Sequence, residues 1–476
     1  MENTSFARVM ALFREVSAIP RPSHHEERIA DYIENFAKAN GCEVYRDDLN
    51  NVFVRVAATA GYEDRAPILL QGHTDMVCEK NADVEHDFMK DGIKIIEENG
   101  FLRADGTTLG ADDGVAVALM LYVIEGGVPA HGEIECLFTA TEETGLYGVQ
   151  GFDFSRVHAR RMINIDGGGE TVVTVGCAGG VTSDILFATR SEPIVGTPIR
   201  ISVRRLTGGH SGSDINKGRA NANLLLTRLL CEMYTALPIS LVSFNGGDKS
   251  NAIPREADAV IAVEDGEEVR TIASRFEKAI RTELSAEDAG FSLTVSMAEG
   301  EEKTMLDARS TRAVLSFLAT VKCGVLAMSA ALPGLVEYSK NLAVVRTSER
   351  GVVVTVSSRS AIERQLEEAM RELDILASLT SAFTKHRDRY PGWSYAGESP
   401  IADLFDETIR TLYGKETLRK TIHAGLECGI IKGRLPDMDA ISVGPCKSGL
   451  HSVEEKLDIA SYERFTATLL TLLQNA

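Results

Sequence analysis

The chain has 476 residues, about three times the usual single-domain length, so two domains are expected, one of them inserted in the other. Hydrophobic residues make up 44% and charged residues 25%, ordinary globular values, and no stretch approaches the roughly 20 apolar residues of a membrane span. The net charge of −19 opposes binding to phosphate backbones or anionic lipid, so neither nucleic acid nor membrane is an expected partner. The first residues lack a basic segment leading into an apolar run, and Arg14 and Glu15 break the apolar pattern soon after, so a cytoplasmic protein is expected. Eight scattered cysteines without a CxxC pair read as reduced, buried thiols.

In chain order, the first 40 residues read as two helices. Phe6, Val9, Met10, Leu12, Phe13 and Val16 recur at helical spacing, Ser23 and Glu26 stand as a capping box for the second helix, and Gly41 is placed to end it. Strand-like runs come next at 52–57, 66–70, 133–139 and 161–165, with a small-residue helix at 114–124, an alternation that indicates an α/β sheet. From about Gly179 to Trp393 the texture changes. Strands at 199–203, 259–263, 292–297 and 351–357 alternate with helices at 220–234, 269–284 and 361–376, as in a separate α+β layer. The α/β pattern then resumes with a helix at 401–412, strands at 417–422 and 440–443, and a final helix at 459–473. The expected division is therefore a catalytic domain over residues 1–180 and 394–476, with an inserted domain over 181–393.

Four acidic or histidine clusters carry the chemistry: Gly-His73-Thr-Asp75, Ala-Asp112-Asp113-Gly, Thr-Glu142-Glu143-Thr-Gly and Asn-Ile-Asp166-Gly. Three follow strands, and in an open α/β sheet the carboxyl ends of strands line one crevice. His451 lies just before the last helix and is a fifth candidate. Imidazole and carboxylate without thiolate suit zinc, manganese or cobalt, and this set is large enough for two ions. A carboxylate can bridge two ions through its two oxygens, which directs attention to the Asp112–Asp113 pair. Taken singly, each residue has a plainer reading: a core histidine at His73, loop charge at Glu142 and Glu143, helix caps at Asp112 and Asp113, a glycine turn at Asp166.

As an ordered set these motifs, together with Gly-Gly-His210-Ser-Gly, Asn251-Ala-Ile-Pro-Arg-Glu, His423-Ala-Gly-Leu-Glu427-Cys-Gly and His451-Ser, resemble the M20 family of dinuclear metallopeptidases, and within it the aminoacyl-histidine dipeptidase branch. The resemblance runs from residue 73 to residue 452. It implies a zinc-exopeptidase-like α/β catalytic domain and an inserted α+β lid and dimerisation domain. It further implies that His73, Asp112, Glu143, Asp166 and His451 hold two divalent ions, zinc or alternatively manganese or cobalt, with Asp112 bridging and a cis peptide following it. Which carboxylate goes with which histidine stays open at this point. Asp75 is implied to orient the His73 imidazole, and Glu142 to act as the general base that takes a proton from water and returns it to the leaving amine.

From the inserted domain, His210 is implied to steady the oxyanion, in family members often from a partner subunit, so a homodimer is expected. Asn251 and an arginine would recognise the substrate carboxylate. Arg359 is the candidate, with Arg255 and Arg346 as rivals. Glu427 would receive a free amino group, and His423 reads as structural. In one place the sequence departs from the family pattern: Gly114 follows Asp113 where many members carry a lysine. The resulting expectation is hydrolysis of small unblocked dipeptides, Xaa-His included. The alternatives are a deacylase or carboxypeptidase of the same family acting on N-acylated amino acids, a noncatalytic metal-binding or assembly protein, and a metal phosphoesterase. The intact Glu142 argues against the noncatalytic reading, and the lack of a glycine-rich phosphate cradle with a lysine argues against the phosphoesterase. His24, His25, His86, His131, His158 and His386 have no motif around them and read as ordinary surface or packing residues.

Overall fold

A computed structural model describes residues 4–298, 303–330, 332–395 and 397–476. The chain divides into two compact units, one of Met1–Cys177, Trp393–Thr421 and Leu426–Ala476, the other of Ala178–Gly392 and Ile422–Gly425. No described helix is long and apolar enough to cross a membrane, and all eight cysteines are free thiols.

The first unit is built on a mixed eight-stranded sheet in the order Glu43–Arg46, Val52–Val56, Ile134–Thr139, Ile68–His73, Arg161–Asn164, Asp439–Ser442, Val172–Cys177 and Leu418–Ile422. The four strands from Ile134–Thr139 to Asp439–Ser442 run parallel to one another. Two of them, Ile134–Thr139 and Ile68–His73, are buried along their whole length, as expected where helices cover both faces of a parallel sheet. Helix Ala111–Ile124 is apolar nearly all round and correspondingly buried nearly all round. Helices Thr4–Ser17 and Ile459–Asn475 meet through Tyr462. Its ring lies edge-on to Phe6 and Phe13, with centroids 5.6 and 6.3 Å away, and its hydroxyl donates to the Val115 carbonyl at 3.1 Å.

The capping box read at Ser23 and Glu26 does not form. The second helix spans Glu27–Ala39, its N-cap is Glu26, and no side chain caps it. Ser23 and Glu26 are instead drawn to residues far along the chain, Asp75 and Thr141. Gly41 does end the helix, at φ +75°, with the Cys42 amide returning to the Ala37 carbonyl.

The second unit carries a nine-stranded sheet. Eight strands run in the order Ser292–Met297, Thr197–Arg204, Ala257–Val263, Ile239–Gly246, Val336–Ser348, Gly351–Ser360, Gly179–Phe187 and Phe383–Tyr390, and Gly324–Met328 also pairs with Val336–Ser348. Every neighbouring pair is antiparallel. Helices Ala222–Ala236, Gly266–Ile280 and Ala308–Thr320 bury Leu226, Leu230, Phe276, Val314 and Phe317 in the core of this unit, beside Ile201, Phe244 and Ile261 of the strands. The long strand Val336–Ser348 and helix Ala308–Thr320 are absent from the sequence reading. Lys340 and Asn341 interrupt the apolar pattern of the strand, and both are buried through polar partners, Glu372 for the lysine and the Ala252 carbonyl for the asparagine.

Candidate metal centre

Strands Ile134–Thr139, Ile68–His73 and Arg161–Asn164 are parallel neighbours, so their carboxyl ends open side by side. His73 is the last residue of its strand, Glu142 and Glu143 lie just past Thr139, and Asp166 lies two residues past Asn164. Asp112 and Asp113 come from the first turn of helix Ala111–Ile124, where their backbone is not helical and the peptide between them is cis. Neither caps the helix, whose N-cap is Gly110. Gly72 makes the close approach of strand and helix workable, since a Cβ there would lie 2.4 Å from the Ala116 Cβ and 2.6 Å from an Asp113 oxygen.

The two oxygens of Asp112 face different imidazoles. His73 Nε2 is 3.3 Å from Oδ1, and His451 Nε2 is 3.6 Å from Oδ2 and 3.1 Å from Glu143 Oε2. Donor atoms gather within 4.8 Å of one another in three overlapping groups, His73–Asp113–Asp166, His73–Glu142–Glu143 and Asp112–Glu143–His451. Glu143 Oε1 and both Asp113 oxygens are buried without a hydrogen-bond partner. Buried carboxylate oxygens without donors are costly unless a cation meets them, and this oxygen- and imidazole-only set fits divalent ions of the zinc and manganese kind. A further group, Glu133, Glu135 and His158, has Arg55 Nε at 3.6 and 3.7 Å from its carboxylates and is an ion-pair cluster.

The electrostatics follow from crowding of charge. Burial opposes ionisation of Asp112, yet Lys447, His451 and His73 hold it well below the usual carboxylate range. Hydrogen bonding to Asp112 and Glu143 draws His451 up to about 10. Burial pushes Glu142 well above the ordinary carboxylate range; His73 opposes the rise, and Glu143, Glu427 and Asp75 add to it.

Asp75 joins the parts. Its carbonyl lies 3.1 Å and its Oδ1 3.4 Å from His73 Nδ1, and its carboxylate accepts the backbone amides of Glu142 and Glu143 at 2.9 and 3.2 Å and the Ser23 hydroxyl at 2.7 Å. Burial would raise its pKa, but His73, the Ser23 hydroxyl and the Glu142 amide together hold it at about 2. Sequence reasoning missed several further supports. Fully buried Arg21 donates to the carbonyls of Thr74 and Asp75 at 2.8 and 2.9 Å and to that of Gly110. Glu26 accepts the amide and hydroxyl of Thr141, both at 2.9 Å, and so holds a β-branched residue at φ +56° immediately before Glu142. Glu455 accepts four successive amides, Leu109 to Asp112, at 2.8 to 3.3 Å. Lys447 extends a buried ammonium to Asp112, Asp113 and Asp166. The signal available for Glu455 was an acidic residue in the segment after His451; Arg21 and Lys447 had none.

Glu427 opens helix Glu427–Arg434, where its Oε2 accepts from Gln71 and from Thr139 at 2.8 Å, while its Oε1 is buried without a hydrogen-bond partner. Burial raises it to about 7. In the second unit, His210 lies on the two-residue strand Gly209–His210, and its Nδ1 accepts the amides of Gly212 and Ser213 at 3.2 and 3.1 Å, which leaves the ring proton on Nε2. Asn251 is exposed, and its carbonyl accepts the Ser211 amide at 2.8 Å. Arg359 is 7% exposed, donates to the Tyr390 hydroxyl at 2.8 Å and has no carboxylate partner among the described residues. Its rival Arg346 is engaged by Asp248 at 2.9 Å, and Arg255 is exposed. His423 Nε2 lies 2.7 Å from the Ser339 hydroxyl inside the second unit, an internal polar contact.

A sequence profile of peptidase family M20/M25/M40 matches residues 69–475. The cytosol non-specific dipeptidase of Escherichia coli is 37% identical over 467 residues, which cover 97% of this chain and 96% of that protein. The aminoacylhistidine dipeptidase of Vibrio alginolyticus superposes with a TM-score of 0.86 at 33% identity, covering 98% of this chain and 96% of the other. A metallo-carboxypeptidase of the M20 family from Sulfolobus solfataricus shares the fold, with a TM-score of 0.57, 13% identity and 98% coverage of both chains. With that profile spanning most of its length and those relatives covering nearly all of it, the chain belongs to peptidase family M20/M25/M40 and is a peptide hydrolase.

Proposed function

We propose that this protein is a metal-dependent dipeptidase that hydrolyses the peptide bond of unblocked dipeptides, Xaa-His among them, in the cytoplasm. The observation that carries the reading is Asp112, whose two oxygens face two histidines, with Glu142 beside the candidate ligand Glu143. His73, Asp112 and Asp166 would hold one ion and Asp112, Glu143 and His451 the other, zinc first, with manganese or cobalt as alternatives. Such a pair of ions supplies a lowered pKa for water and polarisation of the substrate carbonyl.

The protein's own residues do the rest. Glu142 takes the proton from the attacking water and returns it to the departing amine, and its raised proton affinity suits a group that must hold that proton between the two steps. Asp75 fixes the His73 ring and the Glu142–Glu143 turn with one carboxylate. Arg359, a buried guanidinium with no carboxylate partner among the described residues, is assigned to the substrate carboxylate together with Asn251, and the Nε2 proton of His210 to the oxyanion. The unpartnered Oε1 of Glu427 supports its assignment to the substrate's amino group. The inserted unit acts as lid and dimerisation domain of a homodimer.

The test is turnover of β-Ala-His, Gly-His, Leu-Gly, an N-acetyl amino acid and a tripeptide by metal-loaded protein, with Glu142→Ala alongside. Cleavage of the free dipeptides alone, reduced about 100-fold or more in the variant while ions stay bound, is expected. Release of acetate from the blocked substrate would move the activity to deacylation, and no turnover with two ions bound would overturn the catalytic reading.

A further inference from the structure

The two halves of the carboxylate centre are unequal. Lys447, on the short strand Lys447–Ser448, has a side chain only 1% exposed. Its Nζ is 3.3 Å from Asp112 Oδ1, 3.5 Å from Asp166 Oδ1 and 3.8 Å from Asp113 Oδ1, and the Asp166 carbonyl oxygen is also 3.5 Å away. The Asp112 oxygen it meets is the one that faces His73. Glu143 and the other Asp112 oxygen are met by His451, and among the described residues no lysine or arginine pairs with Glu143. An ammonium that is not itself a candidate ligand therefore sits on the His73–Asp166 half, whereas the Glu143–His451 half is met only by an imidazole that is one.

We propose that Lys447 is a resident counter-cation that competes with a metal ion for the His73–Asp112–Asp166 position, so that the two positions fill unequally: Asp112–Glu143–His451 tightly and first, His73–Asp112–Asp166 weakly and second. This rests on the metal-centre reading above. An ion entering the second position either displaces the ammonium from Asp112 Oδ1 and Asp166 or stays beside it as a like charge, and at such distances in a buried site both are unfavourable. At the first position no lysine or arginine among the described residues stands against an ion, and the group that meets the carboxylates there is the His451 imidazole, itself a proposed ligand. Occupancy of the second position, and turnover with it, then follows the free metal concentration over a range where the first position is already full.

The experiment is calorimetric titration of metal-stripped full-length protein with Mn2+, read together with the paramagnetic resonance signal of exchange-coupled manganese pairs. Wild type is expected to show two dissociation constants at least about tenfold apart, with the coupled-pair signal appearing only as the second position fills. Lys447→Met and Lys447→Gln are each expected to tighten the weaker constant about tenfold or more, leave the tighter one unchanged, and bring the coupled-pair signal in at lower manganese. Two equal constants in wild type would overturn the proposal without any variant, and so would a weaker constant that stays the same or worsens in a folded variant. Absence of ion binding by wild type would sink the metal-centre reading and this inference with it, whereas two ions bound with constants insensitive to Lys447 would sink this inference alone.

Discussion

His423 illustrates how a single buried ring couples folding to pH. Burial, with Arg359 and His210 adding to it, lowers its pKa from 6.5 to about 4, so it stays neutral in the folded protein under conditions that protonate it in the unfolded chain. The unfolded chain then binds the extra proton, and this contribution to stability is complete above pH 6.5 and lost as pH falls from there to about 4. The full effect is on the order of 3 kcal/mol. Urea unfolding across that window is expected to lose stability more steeply in wild type than in His423→Gln, and parallel profiles would show that the ring is not buried neutral. Single residues likewise govern the candidate site. Glu455 uses one carboxylate to collect the four amides that lead into Asp112, and Glu26 uses another to hold Thr141 in its left-handed conformation.

At the level of elements, the site depends on how closely helix Ala111–Ile124 can approach strand Ile68–His73. Gly72→Ala puts a methyl group 2.4 Å from Ala116 and 2.6 Å from Asp113, so the helix start must move. A destabilisation of about 1–3 kcal/mol in urea unfolding is expected, with weaker metal binding because Asp112 moves too. A change below about 0.5 kcal/mol would mean that the helix shifts freely. The residues at the strand ends were legible in sequence because short apolar runs stop abruptly at His73, Glu142 and Asp166, and the parallel order of the sheet then places those stops together. Ser23 and Glu26 misled for a physical reason. Their spacing is that of a local cap, but Asp75 and Thr141, more than 50 residues away in each case, offer better-buried partners. Arg21 and Lys447 carry no periodic or motif signal at all, since only the folded chain brings them to Gly110 and Asp112.

For the whole molecule, ion binding and folding of the first unit are linked, because every proposed ligand lies in it. Trp393, the only tryptophan, also belongs to that unit, is 4% exposed and exchanges two backbone hydrogen bonds of 2.9 Å with Cys177. An ion held at about a hundredfold its dissociation constant adds about 2.7 kcal/mol to the folded state. The thermal transition seen in Trp393 fluorescence is therefore expected several degrees higher with metal than with chelator. Coincident transitions would place the ions outside the first unit.

The order in which the strands enter the first sheet has a consequence during synthesis. Strand Asp439–Ser442 lies between Arg161–Asn164 and Val172–Cys177, so the sheet keeps a gap while nearly the whole chain is being made. The strands of the second sheet are complete by Tyr390. His451 and the Glu455 clamp on the Asp112 turn are added later still. A growing chain thus carries Glu142 without the proposed centre around it, and on that reading it has no means of cutting peptides until strand Asp439–Ser442, His451 and Glu455 are folded into place.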